Sequence, residues 1–380
     1  MTIKDSKWFC PEPFSNIFVT TDGQAAPCCV AVSWPDHHKT HNIGEWQNAQ
    51  NSETFKELRT DLARGFGKSI DKHCGNCIRN EQAGSKSHRQ NYLDRLTDSD
   101  LNLIDYHYID GENYIPPVVK SIQIKALAGN YCNLSCQMCH ASESSSLSVE
   151  NRKLGIPDNH PKSRPSKYLF PWSQDGLDEY LLKTDEIKLV GGETLAVKSN
   201  YDILKRCVEL GTSKDTNVHI ITNSTIFPKF DGNDIFDYIP LFKKVIINCS
   251  VEIWGEENDY IRYPSKWSDT EFNIRRLDNT EADVIVVSTV NALNIGYLHK
   301  MDFHQYSFTS VVDTANPFSI SSIPSDIRSQ LNVSATQKRL LDVYPYDKDN
   351  MVRMLDILRM RDAFRKTSLV ATFPEWSRYY

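Results

Sequence analysis

Apolar and polar positions along the middle of the chain follow the two periods of regular secondary structure. Short apolar or alternating runs predict six strands, and segments with helical spacing, such as 201–210 and 268–277, lie between them. Strands that alternate with helices are typical of a parallel sheet with right-handed crossovers. The sequence therefore predicts an α/β fold here. The predicted strands are 118–127, 186–190, 217–222, 244–253, 283–290 and 310–313.

The beginning of the chain follows another pattern. A hairpin is predicted, with strands at 17–20 and 25–29. The turn between them is Thr21-Asp22-Gly23-Gln24, because Asp-Gly favours the positive φ of a type I′ turn. Helices are predicted at 51–65, where apolar residues share one face, and at 78–98, which is mostly polar.

Prolines and helical spacing divide the rest of the chain. Pro116-Pro117 favours extended backbone and ends a connector. Residues 151–171 contain four prolines and predict a loop near the mouth of a site, whereas 336–343 and 349–366 predict helices. We expect four parts. They are a cysteine-rich N-terminal module at 1–95, a connector at 96–117, a central α/β domain at 118–325 and a helical tail at 326–380.

Composition narrows the class of protein. The chain has 380 residues, of which 40% are apolar and 24% charged, as in ordinary globular proteins. Its net charge of −6 and the lack of a basic block disfavour a nucleic-acid polymer as partner. No apolar run has the length of a membrane span, and the N-terminus has no apolar export segment. We therefore expect a cytoplasmic protein without a membrane partner.

Cysteine is the residue type that points to chemistry. Without an export signal, ten cysteines favour ligation of a metal or cluster over disulfide bonds. Cys207 and Cys249 lie in apolar periodic segments and are predicted to be buried core residues. The other eight form three groups: Cys10, Cys28 and Cys29; Cys74 and Cys77; and Cys132, Cys136 and Cys139.

The third group has the spacing CxxxCxxC. Zinc ribbons instead pair two CxxC knuckles. Cys132, Cys136 and Cys139 offer three thiolates to a cluster that has four irons, [4Fe–4S]. One iron would then be open to a small molecule.

The first two groups supply a second ligand set, formed by Cys10, Cys28, Cys74 and Cys77. Gly75 is predicted to let the backbone turn tightly around a metal. Cys29 competes with Cys28 for one position. By spacing alone, four cysteines fit structural zinc as well as they fit [4Fe–4S].

Polar residues and glycines follow the predicted strands. Paired glycines let a backbone approach a ligand closely, a carboxylate can accept hydrogen bonds from an ammonium group, and an arginine can pair with a carboxylate. On the fourth strand, period-two alternation separates an apolar face from a polar one. The residues concerned are Gly191, Gly192 and Glu193 after the second strand, Thr222 and Asn223 after the third, Ser250 and Glu252 at the fourth, and Arg262 downstream.

In this order, CxxxCxxC, Gly-Gly-Glu and Ser-x-acid resemble the radical S-adenosylmethionine (radical SAM) enzymes. The cysteines of the N-terminal module resemble the twitch domain, the short form of the SPASM domain, which in that family usually follows the barrel. The resemblance covers most of residues 10–325. It implies an incomplete (β/α)6 TIM-like barrel with its site at the C-terminal ends of the strands. It also favours a second, auxiliary [4Fe–4S] cluster over zinc in the N-terminal module.

The resemblance implies roles for individual residues. Cys132, Cys136 and Cys139 would hold a [4Fe–4S] cluster whose open iron binds S-adenosylmethionine (SAM). The other cofactor contacts would be made by Met138 at the adenine, by Gly191, Gly192 and Glu193 at the amino group, by Thr222 and Asn223, by Ser250 and Glu252 at the ribose, and by Arg262 at the carboxylate. Ser224 stands where the family has glycine, and Glu252 where it has aspartate.

The implied reaction is reductive cleavage of SAM to a 5′-deoxyadenosyl radical, which takes a hydrogen from a substrate. Oxidative modification of a peptide or protein is the first expectation, and dehydrogenation or modification of a sugar or nucleotide is the alternative. A reductase such as flavodoxin or ferredoxin would supply electrons. The alternative of another class is a non-enzymatic zinc-binding interaction protein.

Two further expectations concern the N-terminal module. Pro27 fixes the backbone before Cys28, and the family pattern places a ligand directly after this proline. Cys28 is therefore predicted to be the ligand, and Cys29 to face the other way, packed against the module's own core. Three histidines in the following loop are predicted to be exposed. They are His37, His38 and His41.

Overall fold

One eight-stranded sheet organises the computed structural model, in the order β2-β1-β3-β4-β5-β6-β7-β8. The structure describes residues 3–19, 25–31, 50–82, 84, 86–114, 116, 120–125, 130–157, 178, 181–301, 306–312 and 314–380. The strands are β1 (Asn16–Val19), β2 (Ala25–Ala26), β3 (Ser121–Lys125), β4 (Glu186–Val190), β5 (Asn217–Thr222), β6 (Lys244–Ser250), β7 (Asp283–Val290) and β8 (Tyr306–Val311).

The six strands β3 to β8 are parallel and lie in chain order, which confirms the predicted α/β class. The sheet also extends into the N-terminal part of the chain. Strand β1 pairs in parallel with β3, Ile17 opposite Ile122, and β2 pairs antiparallel with β1. The predicted hairpin is thus joined to the central sheet, although its turn at 21–24 lies outside the described residues. Of the predicted return strand, only Ala25–Ala26 forms.

Fifteen α-helices occur in the described parts of the chain. They are α1 (Glu12–Ser15), α2 (Glu53–Arg64), α3 (Lys68–His73), α4 (Gly75–Gln82), α5 (His88–Leu93), α6 (Asp98–His107), α7 (Ser145–Leu154), α8 (Lys198–Glu209), α9 (Ile235–Tyr238), α10 (Glu256–Ile261), α11 (Trp267–Asp278), α12 (Ser325–Arg328), α13 (Ala335–Val343), α14 (Lys348–Arg365) and α15 (Leu369–Thr372). No helix of these ranges is both long and apolar enough to cross a membrane.

The helices differ from the sequence prediction in three places. The single helix predicted at 78–98 is broken into α4 and α5, because Ser87 starts a new helix with a capping box to Gln90. The predicted connector contains α6, which Thr97 caps in the same way. Helix α7 continues to Leu154 and so occupies the start of the predicted proline-rich loop, whose residues 158–171 lie outside the described part.

One face of the sheet forms the main apolar core against α8, α9 and α11. Strand β6 shows the alternation that the sequence predicts, with Val245, Ile247 and Cys249 buried on this face. Cys207 of α8 joins them, so both predicted core cysteines are buried. Because the apolar side chains are on the helix-facing side, the opposite face carries the polar ones.

That opposite face contains ionisable groups away from water. Lys188 of β4 and His219 of β5 are adjacent in register and are both buried. Burial lowers the pKa of each, and the charge of Lys188 lowers that of His219 further. Toward the C-terminal ends of the strands, this face leads to the residues of the candidate site.

Candidate functional site

Hydrogen bonds from other segments hold the loop with the CxxxCxxC motif, residues 130–140. The amides of Ser135 and Gln137 donate to the carbonyl oxygens of Tyr263 (2.6 Å) and Ile261 (2.7 Å). The hydroxyl of Ser144 donates to the carbonyl oxygen of Leu134 (2.6 Å). The segment after α10 and the residue before α7 therefore fix the backbone between the cysteines.

A cavity of about 470 Å³ opens beside this loop at the C-terminal ends of the parallel strands. All three cysteines line it, together with eight of the nine residues that the resemblance assigns to SAM. The ninth, Glu193, does not line it. The lining residues are Cys132, Leu134, Cys136, Met138, Cys139, His140, Glu143, Ser144, Gly191, Gly192, Ile221, Thr222, Asn223, Ser250, Glu252, Arg262, Thr289, Val312 and Asn316.

The two glycines after β4 bring that strand's end against the cysteine loop. Gly191 and Gly192 have φ values of 90° and 55°, which favour glycine. A Cβ atom on Gly192 would lie 2.2 Å from the carbonyl oxygen of Tyr131, so no side chain fits there. The amide of Glu193 donates to the same oxygen (2.7 Å). The backbone at the two glycines therefore packs closely against the cysteine loop, and it also lines the cavity.

Glu193 lies fully buried behind the cavity wall and acts there as a hydrogen-bond acceptor. It accepts from the Thr222 hydroxyl (2.6 Å) and from the amides of Asn223 (2.7 Å) and Leu195 (3.0 Å). Burial raises the pKa of its carboxyl, and these donors act in the opposite direction. Glu193 thus joins the end of β4 to the end of β5.

The end of β5 carries Asn223 into contact with the cysteine loop. Its side-chain amide donates to Oδ1 of Asn133 (2.9 Å) and lies 4.0 Å from Sγ of Cys132. Ser224, which replaces the glycine of the family pattern, has a φ of 57°. The replacement therefore keeps the left-handed backbone that a glycine would adopt easily.

Glu252 and Arg262 form a buried ion pair at the cavity wall. Nη1 of Arg262 lies 2.7 Å from Oε1 of Glu252. The other carboxylate oxygen accepts from the amide of Thr289 (3.0 Å) and from Nδ2 of Asn294 (3.2 Å). Because Glu252 is held on both sides, it fixes the guanidinium of Arg262 beside the cysteines.

The electrostatics of the three thiols follow from burial and from this arginine. Burial raises the pKa of Cys132 to about 12 and also raises the pKa values of Cys136 and Cys139. The charge of Arg262 acts in the opposite direction at all three. Since only thiolates bind iron, a buried cation beside them suits a cluster site.

Helix α14 supplies two buried arginines that the sequence prediction missed. Nη1 of Arg361 donates to the carbonyl oxygen of Gln137 (2.8 Å). Nη2 of Arg365 donates to that of Ser135 (2.6 Å), and Arg365 also pairs with both carboxylate oxygens of Glu150 (2.6 and 3.0 Å). The apolar spacing of the tail predicted the helix, but nothing in the sequence identified its arginines as part of the site.

The cysteines of the second set lie near one another in the N-terminal part of the chain. Cys74 lies between α3 and α4, and Cys77 is in the first turn of α4. The charges of Cys10 and Cys74 are among the causes, after burial and Cys29, that raise the pKa of Cys28. The tight turn predicted at Gly75 was wrong, because Gly75 begins α4 without a positive φ.

Cys29 has a polar partner that the sequence did not indicate. Its Sγ lies 3.2 Å from Nε2 of His88, which in turn lies 3.6 Å from Oε1 of Glu12. Burial lowers the pKa of His88, but Cys29 and Glu12 raise it more, to about 10. Cys29 also packs against a small apolar cluster of Phe18 and Ala26 from the N-terminal module and Val190 from β4, so its apolar contacts come from the module and from the central sheet. His37, His38 and His41 lie outside the described residues.

Within the described ranges, no three Cys, His, Asp or Glu side chains converge closely enough to hold a single metal ion. A [4Fe–4S] cluster does not need that convergence, because each thiolate binds a different iron. The donors present in both sets are thiols, the ligands that such clusters use.

Residues 10–78 match the sequence model of the SPASM iron–sulfur cluster-binding domain. The matched range contains Cys10, Cys28, Cys74 and Cys77, so the predicted recognition of a SPASM-type iron–sulfur module is confirmed. No curated protein matches this chain.

Solved structures similar to this chain include anSMEcpe with bound AdoMet, at 16% identity and a TM-score of 0.35. That similarity covers 50% of this chain and 52% of anSMEcpe, about half of its length. Streptococcus suis SuiB bound to S-adenosylmethionine is 12% identical with a TM-score of 0.35, covering 87% of this chain and 69% of SuiB. SuiB bound to precursor peptide SuiA is 12% identical with a TM-score of 0.32, and the similarity covers 84% of this chain and 68% of SuiB. At these TM-scores, the similarities carry no conclusion about this chain.

Proposed function

We propose that this chain is a radical SAM enzyme with an auxiliary iron–sulfur cluster in its N-terminal module. One observation carries the proposal. Three cysteines in CxxxCxxC spacing line the same cavity as the residues at the ends of four adjacent strands, β4 to β7. In this proposal the parallel sheet is the incomplete barrel of that family.

The residues present fit the two groups. Cys132, Cys136 and Cys139 would hold a [4Fe–4S] cluster with one open iron, and the N-terminal set of Cys10, Cys28, Cys74 and Cys77 would hold the auxiliary one. When bound, such a cluster with SAM on its open iron supplies the electron that cleaves SAM and yields the 5′-deoxyadenosyl radical.

The chain's own residues bind and orient the cofactor. Arg262 is held by Glu252 at the cavity wall, where its guanidinium suits a carboxylate. The glycine backbone at 191–192 and the cavity-facing Asn223 provide polar groups near the cysteines, and Ser250 provides a hydroxyl. Apolar neighbours such as Leu134 keep water from the reacting atoms.

For the substrate we propose a peptide or protein that undergoes oxidative modification, with a sugar or nucleotide as the alternative. The SPASM match supports the oxidative character of the reaction, because an auxiliary cluster can accept an electron from a substrate radical.

The test is anaerobic reconstitution with iron and sulfide, followed by iron analysis and a SAM cleavage assay. Two clusters predict about eight irons per chain and a brown protein. Replacing Cys132, Cys136 and Cys139 with alanine should halve the iron and abolish 5′-deoxyadenosine formation. Cleavage that persists in the triple variant would refute the proposal, and a colourless protein containing zinc would favour the non-enzymatic alternative. Mass spectrometry of candidate peptides and small molecules incubated with the active protein separates the two substrate classes.

A further inference from the structure

The surface also has a groove that is separate from the cavity and contacts the cysteine loop. This groove, of about 350 Å³, lies between α7 and α14 and shares no lining residue with the cavity. It reaches the loop at Ser135, the residue before Cys136. Its lining residues are Ser135, Ser145, Ser146, Val149, Glu150, Lys153 and Phe364.

The floor of the groove is hydrogen-bonded to the backbone of the first cysteine. The amide of Cys132 donates to the Ser145 hydroxyl (3.2 Å), and the Ser146 hydroxyl donates to the carbonyl oxygen of Cys132 (2.6 Å). Arg365 binds the carbonyl oxygen of Ser135 from the same side. The groove therefore lies against the backbone segment that carries Cys132 and Cys136.

The rim combines exposed apolar side chains with positive charge. Val149 and Phe364 are 47% and 45% exposed, and Nζ of Lys153 lies 5.9 Å from the centre of the Phe364 ring. Two more basic side chains are exposed close by in the sequence. Arg152 lies in the last turn of α7, and Lys366 directly follows the end of α14. Glu150 does not offset this charge, because Arg365 neutralises it below the surface.

This charge contrasts with that of the whole protein. The chain has a net charge of −6, whereas the exposed charged side chains of this rim, Arg152, Lys153 and Lys366, are all basic. A basic rim on an acidic protein steers acidic partners toward this face, and exposed aromatic side chains provide anchoring contacts.

We propose that the groove between α7 and α14 is the docking site of an acidic one-electron donor protein. The inference rests on the proposed function, since it assigns the cluster at Cys132, Cys136 and Cys139 as the acceptor. One electron leaves the reduced flavin or iron–sulfur centre of the donor and reduces that cluster by one electron, and no bond forms or breaks. The small groove suits a brief encounter, as weak electron-transfer complexes bury little area.

The probe is reduced flavodoxin, mixed anaerobically with the reconstituted protein at low salt while the cluster absorbance is followed by stopped flow. Lys153→Glu should slow cluster reduction about tenfold and weaken its dependence on salt, because it reverses a rim charge. Phe364→Ala should also slow it. The controls are Lys205→Glu on α8 and Phe272→Ala on α11, which change exposed residues of the same types elsewhere and should leave the rate unchanged.

Dithionite separates failure of this inference from failure of the proposed function, because a small reductant needs no docking surface. All four variants should be reduced by dithionite, and should cleave SAM with it, like the wild type. If the wild type does not cleave SAM even with dithionite, the proposed function fails.

If dithionite works but flavodoxin does not reduce the wild type, or reduces Lys153→Glu and Lys205→Glu at equal rates, the docking site is refuted. Sedimentation analysis provides the last control. A change in self-association in Lys153→Glu alone would show that the groove binds a second copy of the chain instead.

Discussion

The guanidinium of Arg365 donates a 2.6 Å hydrogen bond to the carbonyl oxygen of Ser135, and both groups are buried. More than two hundred residues separate the two in sequence. The contact links α14 to the backbone between the first two cysteines of CxxxCxxC, and Glu150 balances the charge of the arginine. The tail of the chain is therefore part of the cluster loop's support.

Arg365→Met should destabilise the protein by about 3–5 kcal/mol, because removing one partner of a buried ion pair leaves the other without compensation. It should also loosen the cysteine loop, so that less iron is retained at Cys132, Cys136 and Cys139. Urea unfolding and iron analysis measure the two effects. The double variant Glu150→Gln, Arg365→Met should recover part of the stability, since it removes the buried charge. Equal stability of Arg365→Met and the wild type would contradict the supporting role.

Glu193→Gln should lower the free energy of unfolding by about 1.5–3 kcal/mol, because an amide nitrogen cannot accept from the surrounding donors. It should weaken SAM binding as a consequence, since Glu193 holds the ends of β4 and β5. Calorimetric SAM titration and urea unfolding measure the two effects. The control is Ser250→Ala at the cavity wall, which should weaken SAM binding and leave stability unchanged. Weaker binding by Glu193→Gln with unaltered stability would instead favour the direct contact that the sequence suggested.

His219 should make stability depend on pH. Burial and then the charge of Lys188 hold the pKa of His219 well below its ordinary value, so the folded protein keeps the ring neutral. The unfolded chain takes up a proton below about pH 6.5, the usual histidine pKa. The contribution of the neutral His219 ring to the free energy of unfolding is therefore fully present above that pH. It is lost as the pH falls toward the folded-state pKa.

His219→Gln should remove this part of the pH dependence. Anaerobic urea unfolding between about pH 5.5 and 8, compared for the variant and the wild type, tests it. The difference in the free energy of unfolding between the variant and the wild type should change with pH mainly at the acidic end of this range. A constant difference across the range would show that folding does not lower the pKa of His219.

Local patterns in the sequence predicted those features that depend on neighbouring residues. The bounds of β4, β5 and β7 agree with the apolar runs, because each strand packs one face against helices. The motif residues converge on one cavity because parallel strands bring their C-terminal ends to one edge.

Features that depend on distant contacts could not be predicted. Strand β1 pairs with β3 across about a hundred residues, and no local signal marks that partner. Arg361 and Arg365 lie in an arginine-rich helix, where charged residues usually face solvent. The direction of the Glu193 side chain depends on donors from β5 that come close only in the fold.

The assignment of Cys28 and Cys29 gives the last prediction. The amide of Ala31 donates to Sγ of Cys28 (3.3 Å), a contact typical of cluster thiolates, whereas Sγ of Cys29 lies beside His88. Cys28→Ala should therefore lose the auxiliary cluster and keep the one at Cys132, Cys136 and Cys139. Cys29→Ala should keep both clusters and lose only its contact with the imidazole. Iron analysis and electron paramagnetic resonance of the two variants test this. An auxiliary signal that survives in Cys28→Ala and disappears in Cys29→Ala would reverse the assignment, and one that survives in both would mean that neither cysteine is needed to hold the cluster.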